Sequence, residues 1–271
     1  MERTTLDGLE LQHEVTGVGD PVLLIAPGPI ADSFHPFVRE KALADHFRLI
    51  RYRQRRLDPQ APAPLPVSFG EHATDAVGLL RHLGVARAHV VGHSTGADIA
   101  LQMAHDHPDV VHSLTLLEPL LLTVPSAGDF LAQAGPALAA YEAGQPERAM
   151  TTFIAMACSL DWETCRALLE KHIPGGVEQA LEDADNFFGS YVPALSAWQF
   201  ESAQAAAISQ PVLSVVGTDT QRLFAESHAL LHSWFRQVED CTIEGVAHLL
   251  HLQRPKPVAR GVAAFLARHP M

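Results

Sequence analysis

Gly92-His93-Ser94-Thr95-Gly96 decides how this chain is read. Residues 88–91 before it form a short apolar run, as a buried strand does, and residues 97–104 after it carry apolar side chains three and four apart, as a helix does. A serine centred in G-x-S-x-G at such a strand-to-helix turn occupies a nucleophile elbow. Strand and helix nearly touch across so tight a turn, and glycine at 92 and 96 removes the side chains that would collide there. The Ser94 hydroxyl is expected to stand out beyond the C-terminal edge of the sheet.

Outward from this turn, strands alternate with helices. Residues 4–6 and 9–15 flank Asp7-Gly8, a pair that favours a two-residue hairpin turn. Residues 22–25 read as a buried strand entering the loop Ala26-Pro27-Gly28-Pro29, after which Asp32 or Ser33 could cap a helix reaching about residue 46. A strand at 48–52, an Arg- and Pro-rich surface connection at 54–66 and a helix at 68–83 follow, then the elbow and a strand at 113–117. After Glu118-Pro119 the alternation stops. Helices are predicted at 130–142, 146–158, 161–171 and 176–188, before strands at 212–216 and 238–243 alternate again with helices at 222–234 and from 257 onward. This order predicts an α/β fold with a mostly parallel sheet flanked by helices. Residues 1–119 and 208–271 would form the core, and 120–207 an inserted helical cap.

Composition narrows the function classes. The chain has 271 residues, enough for a sizeable apolar core, and its formal net charge of -12 argues against nucleic acid or an anionic membrane as a partner. Its start, Met1-Glu2-Arg3-Thr4-Thr5, lacks the apolar stretch of a signal peptide, and no run approaches a membrane span, so a cytoplasmic location is expected. Cys158, Cys165 and Cys241 read as thiols rather than disulfide partners. His105 and His107, like His248 and His251, lack a further ligand at metal spacing, and neither a metal nor a cofactor is predicted.

The opening hairpin, the Pro27-Gly28 loop, the elbow at residues 92–96, the helical insertion and the late histidine of Gly245-Val246-Ala247-His248 resemble the α/β-hydrolase fold family over nearly the whole chain. The resemblance implies Ser94 as nucleophile and His248, last in chain order, as its base. A carboxylate should orient that imidazole. Asp219 follows the strand where most of the family carries its acid, yet the usual position, three residues after Gly217, holds Thr220. Glu118 ends the preceding strand, where some members carry theirs, which tips the reading toward Glu118 with Asp219 as the alternative. The oxyanion hole would use the Thr95 N–H. Pro29 occupies the site of the second donor and has no N–H, which leaves Ile30 or another group.

His93 and the cap aromatics Trp162, Phe187, Phe188, Tyr191 and Trp198 are candidates for an apolar pocket over Ser94 that takes a small apolar or aromatic substrate. The expected activity is hydrolysis of an ester, lactone or similar acyl compound. Carbon–carbon bond hydrolysis with the same triad, and a non-hydrolytic ligand-binding or cyclase role, are the alternatives. Nothing in the sequence speaks to oligomeric state.

Overall fold

Eight strands form one sheet in the order β1-β2-β4-β3-β5-β6-β7-β8. They are β1 (Glu2–Leu6), β2 (Leu9–Thr16), β3 (Asp20–Ile25), β4 (Phe47–Arg53), β5 (Ala88–His93), β6 (Val111–Leu117), β7 (Val212–Gly217) and β8 (Val238–Ile243). The computed structural model describes residues 1–6, 8–55 and 66–271. The hairpin β1-β2 joins β4 in antiparallel fashion, and from β4 to β8 every pairing is parallel. All six residues of β5 and of β7 are buried, as strands covered on both faces require.

Alternation along the strands builds two cores. Leu23 and Ile25 of β3 join one apolar cluster, with α1 (Phe69–His82) and α2 (Thr95–Asp106). Val22 and Leu24 join another beneath the C-terminal helix Pro255–Arg268. A capping box starts α1: Ser68 Oγ accepts the Glu71 N–H at 3.2 Å, and Glu71 accepts the Ser68 N–H at 2.9 Å.

Between β6 and β7 the described chain is helical, with α3 (Ala127–Glu142), α4 (Pro146–Cys158), α5 (Trp162–His172), α6 (Gly176–Glu182) and α7 (Val192–Ala197). Then come α8 (Arg222–Trp234), between β7 and β8, and α9 (Pro255–Arg268). Among the described residues no helix is long and apolar enough to cross a membrane.

Two predicted helices differ from the structure. The stretch after Pro29 holds only turns, a 3-10 turn at Phe37–Arg39 and a single helical turn at Lys41–Ala44. The Asp32 carboxylate, expected to cap a helix, instead binds Arg51 at 2.8 Å and pairs with Arg53, while Glu40 is extended and interrupts the path. The helix predicted over 176–188 ends at Glu182 and rewinds into a π-helical turn at Phe187–Tyr191. The surface connection predicted at 54–66 lies largely outside the described residues.

The sheet positions the site through its order of strands. The chain runs from β3 outward to β4 and then crosses back to β5 on the other side of β3, so the loops after β3 and β5 open side by side at the C-terminal edge, where ligands of such sheets bind. Here α2 crosses β3 at contact distance. A Cβ on Gly96 would lie 2.2 Å from the Ile25 carbonyl oxygen, and one on Gly92 2.4 Å from the Gly96 carbonyl oxygen. Gly96→Ala is therefore expected to cost about 3 kcal/mol, the upper range for overpacking against unyielding neighbours. Urea denaturation measures it; unchanged stability would show that α2 can retreat from β3.

Candidate active site

Two non-glycine residues at the ends of adjacent strands hold left-handed backbones. Ser94, after β5, sits at φ 54° and ψ -127°, and Glu118, after β6, at φ 43°. Such conformations cost on the order of 1–3 kcal/mol each and persist where neighbours hold them. The Ser94 N–H donates to the Leu117 carbonyl at 2.9 Å, and the Glu118 N–H to the Val215 carbonyl at 3.1 Å. The strand ladder thus continues through both strained residues.

Glu118 and His248 meet in the interior. His248 Nδ1 lies 2.7 Å from Glu118 Oε2, and Glu118 Oε1 accepts the Gly217 N–H at 2.9 Å, so both carboxylate oxygens are engaged. Glu118 is 1% exposed and His248 4%, which removes the water that would compete for this contact. The Phe224 ring of α8 stacks on the imidazole, 3.8 Å between centroids and 9° from parallel. His93 Nε2–H donates to the His248 carbonyl at 2.9 Å, which leaves Nδ1 of His93 as the unprotonated nitrogen. Burial, first, and the neighbouring His251 and His248 push the His93 pKa well down, so this ring is a neutral strut.

Asp219 lies elsewhere. Its side chain is exposed and accepts the Thr218 hydroxyl at 3.0 Å, while its N–H donates to the Val246 carbonyl at 3.0 Å. His251 packs between His93 and Phe34, and burial lowers its pKa to about 3.

Ser94 and His248 line one cavity with Pro29, Ile30 and Thr95. Its walls are almost wholly apolar, drawn from the segment after β6 and from α3, α4, α7 and α8. Among the pocket candidates His93, Phe187 and Tyr191 reach it. Trp162, Phe188 and Trp198 do not: Phe188 stacks on Tyr141, 4.9 Å between centroids, and Trp198 stacks on Phe200 and donates to Gln102 Oε1 at 2.8 Å. Trp162, at the first position of α5, faces a polar surface groove with Glu147 and Arg148. The π-helical turn aims Phe187 and Tyr191 inward, and π turns recur at functional sites. Sequence reasoning missed Phe130, Ala134 and Leu138, whose four-residue spacing puts one face of α3 on the cavity. It also missed Cys158, whose thiol is pushed well up by contact with the Cys165 thiol and by burial, and so stays neutral.

A model of the alpha/beta hydrolase fold matches residues 21–255. The chain belongs to the α/β-hydrolase fold family. Over 122 residues it is 40% identical to a rhodomycin D methylesterase from a Streptomyces species, covering 42% of this chain and 40% of that protein. Over 122 residues it is 31% identical to a putative carbamate hydrolase from Caulobacter segnis, covering 43% and 45% respectively. The chain thus spans less than half the length of these curated relatives. A thermophilic esterase from Thermogutta terrifontis superposes with a TM-score of 0.79 at 20% identity over 100% of both chains, a likeness of fold.

The loop after β3 commits its backbone donors. The Ile30 N–H, expected as a free donor, closes a turn onto the Pro27 carbonyl at 3.3 Å, and the Gly28 N–H donates to Thr95 Oγ1 at 3.1 Å. Pro29 lies between them, so residues 28–30 hold no spare N–H, and Ile30 is not the second donor. Thr95 opens α2, where a backbone N–H has no acceptor one turn back within the helix.

Behind the elbow, Asp98 of α2 is fully buried. Its Oδ1 accepts the Leu120 N–H at 3.0 Å, which pins the segment leaving β6 over the cavity, and its Oδ2 has no partner among the described residues. Burial raises its pKa well above the ordinary 3.8 and only partly yields to the Leu120 bond, so the fold retains a proton that the unfolded chain releases. This contribution is fully present below the unfolded pKa and is lost as pH rises through the folded one. Relative to the wild type, Asp98→Asn should gain stability with increasing pH, by up to about 1.4 kcal/mol per pH unit within that window. Urea titrations from pH 4.5 to 7.5 check this, and a pH-independent difference would contradict it.

Proposed function

We propose that the chain is a serine hydrolase that cleaves an ester, lactone or similar acyl compound with a small apolar acyl group, through an acyl-enzyme on Ser94. The observation that carries this reading is the buried His248–Glu118 pair, 2.7 Å apart, opening with Ser94 into a single apolar cavity. Ser94 Oγ would attack the carbonyl carbon while His248 Nε2 takes its proton. The leaving alkoxide collects that proton as the C–O bond breaks, and water repeats the sequence on the acyl-enzyme. Glu118 holds the tautomer and balances the imidazolium charge. Among the described residues Ser94 Oγ makes no hydrogen bond to the imidazole, and such contacts tighten when substrate arrives.

The developing oxyanion would receive the Thr95 N–H. For the second donor we assign the Thr95 hydroxyl, which accepts from Gly28 and keeps its own proton free to donate. Residues 120–207 act as the cap that closes the apolar cavity. The local similarity to a methylesterase is consistent with ester chemistry.

Fluorophosphonate labelling tests for an activated serine, and Ser94→Ala should abolish both label and turnover of short activated esters while the fold survives. Equal turnover in the variant would defeat the proposal. Glu118→Gln should lower kcat on the order of 10⁴-fold, since an amide holds the imidazole but cannot balance its charge, whereas Asp219→Asn should be mild. The reverse ranking would transfer the role to Asp219.

The cavity walls also predict selectivity. Aryl butyrates should exceed aryl hemisuccinates in kcat/KM by at least about tenfold, because a carboxylate would be desolvated against apolar walls. A matched pair of esters with one leaving group measures it, and equal rates would place the acyl group elsewhere.

A further inference from the structure

A second cluster of chemistry-bearing groups lies outside the Ser94 cavity, between α8 and the edge strand β8. His228 and His232 stand one turn apart on α8, and Asp240 faces them from β8. Asp240 Oδ1 lies 2.8 Å from His232 Nε2 and 3.6 Å from His228 Nε2, and one ligand atom from each residue falls within 4.8 Å of the other two. The two rings are edge to face at 5.0 Å between centroids. From these positions we infer that His228, His232 and Asp240 form a binding site for a zinc-class divalent cation, one that fastens α8 to β8.

The chemistry favours a cation over a plain surface ion pair. Zinc takes imidazole nitrogen and carboxylate oxygen at about 2.0–2.2 Å, so tetrahedral ligand atoms sit roughly 3.3 Å apart. The His228–Asp240 spacing is already near that value, and the other two need shifts that exposed side chains on a helix and an edge strand can make. The outer partners are also in place. Ser214 Oγ of β7 lies 2.7 Å from His228 Nδ1, and Ser214 is the register partner of Asp240, so both side chains leave the same face of the sheet. With a cation bound, Nδ1–H would donate to this buried hydroxyl and leave the lone pair on Nε2, the nitrogen that faces Asp240. Three protein ligands leave a fourth position for water. Neither His105 with His107 nor His248 with His251 has this arrangement: here a helix aligns two histidines at i and i+4, and the carboxylate is eight residues further on.

The site also has a mechanical reading. Phe224, which stacks on His248, is one turn before His228 on the same helix, so a cation at this point would hold the helix that backs the imidazole.

The test is calorimetric titration of zinc chloride into the full chain, with circular dichroism confirming each variant's fold. The wild type should bind one zinc per chain and melt higher in its presence. His232→Ala and Asp240→Asn, both at exposed positions, should abolish this binding or weaken it at least tenfold, and Ser214→Ala should weaken it about tenfold, as loss of an outer partner does. Cobalt(II), read by its visible absorption, gives a second readout of the same ligands. An absence of stoichiometric zinc binding in the wild type overturns the inference. So does binding of equal affinity in His232→Ala, which would assign the ion to other histidines.

Discussion

The contact of α2 with β3 is the constraint on which the site depends. Gly96 rests against the Ile25 and Ala26 carbonyls with no room for a side chain, and Gly92 faces Gly96 in turn. Because Gly96 presses α2 against β3 and Gly92 presses β5 against α2, the peptide joining β5 to α2 is confined, and Ser94 takes a positive-φ backbone there. The same crowding brings the loop after β3 beside the first turn of α2, where Gly28 reaches the Thr95 hydroxyl. A change in this packing would move Ser94, loop and helix N-terminus together.

Electrostatics in the site follow from burial. Glu118, His248, His93, His251 and Asp98 are all nearly inaccessible to water, yet they divide into two kinds. Glu118 and His248 engage each other, and the remaining carboxylate oxygen takes a backbone N–H. His93, His251 and Asp98 are pushed toward their neutral forms by the same desolvation. The dry surround thus neutralises these bystanders, while the Glu118–His248 pair stays hydrogen-bonded beside the apolar cavity.

The fold was legible because periodicity records burial on both faces of a parallel sheet, and the strand-helix alternation around residues 88–117 follows directly from it. Ser94 and His248 stand out in the sequence because their motifs depend on local geometry, and both line one cavity. Glu118 came into view through an anomaly, Thr220 at the customary place. What escaped was whatever distant partners decide. Whether the Ile30 N–H is free depends on a turn closing onto Pro27, and Asp32 fails to cap because two arginines of β4 claim it. The aromatic residues of 162–198 look alike in composition, but a π-helical turn and the packing of Phe188 on Tyr141 decide which rings face the cavity. The pair His228 and His232 was invisible as a cluster until β8 supplied Asp240.

The position of Glu118 bears on what residue 220 can be. Position 220, where the resemblance would place the acid, holds a threonine whose hydroxyl is buried with no partner among the described residues, so the fold encloses a short polar side chain there without a hydrogen bond. If Glu118 balances the imidazole, a second carboxylate at position 220 would be desolvated in that enclosure, and burial would favour its protonated form.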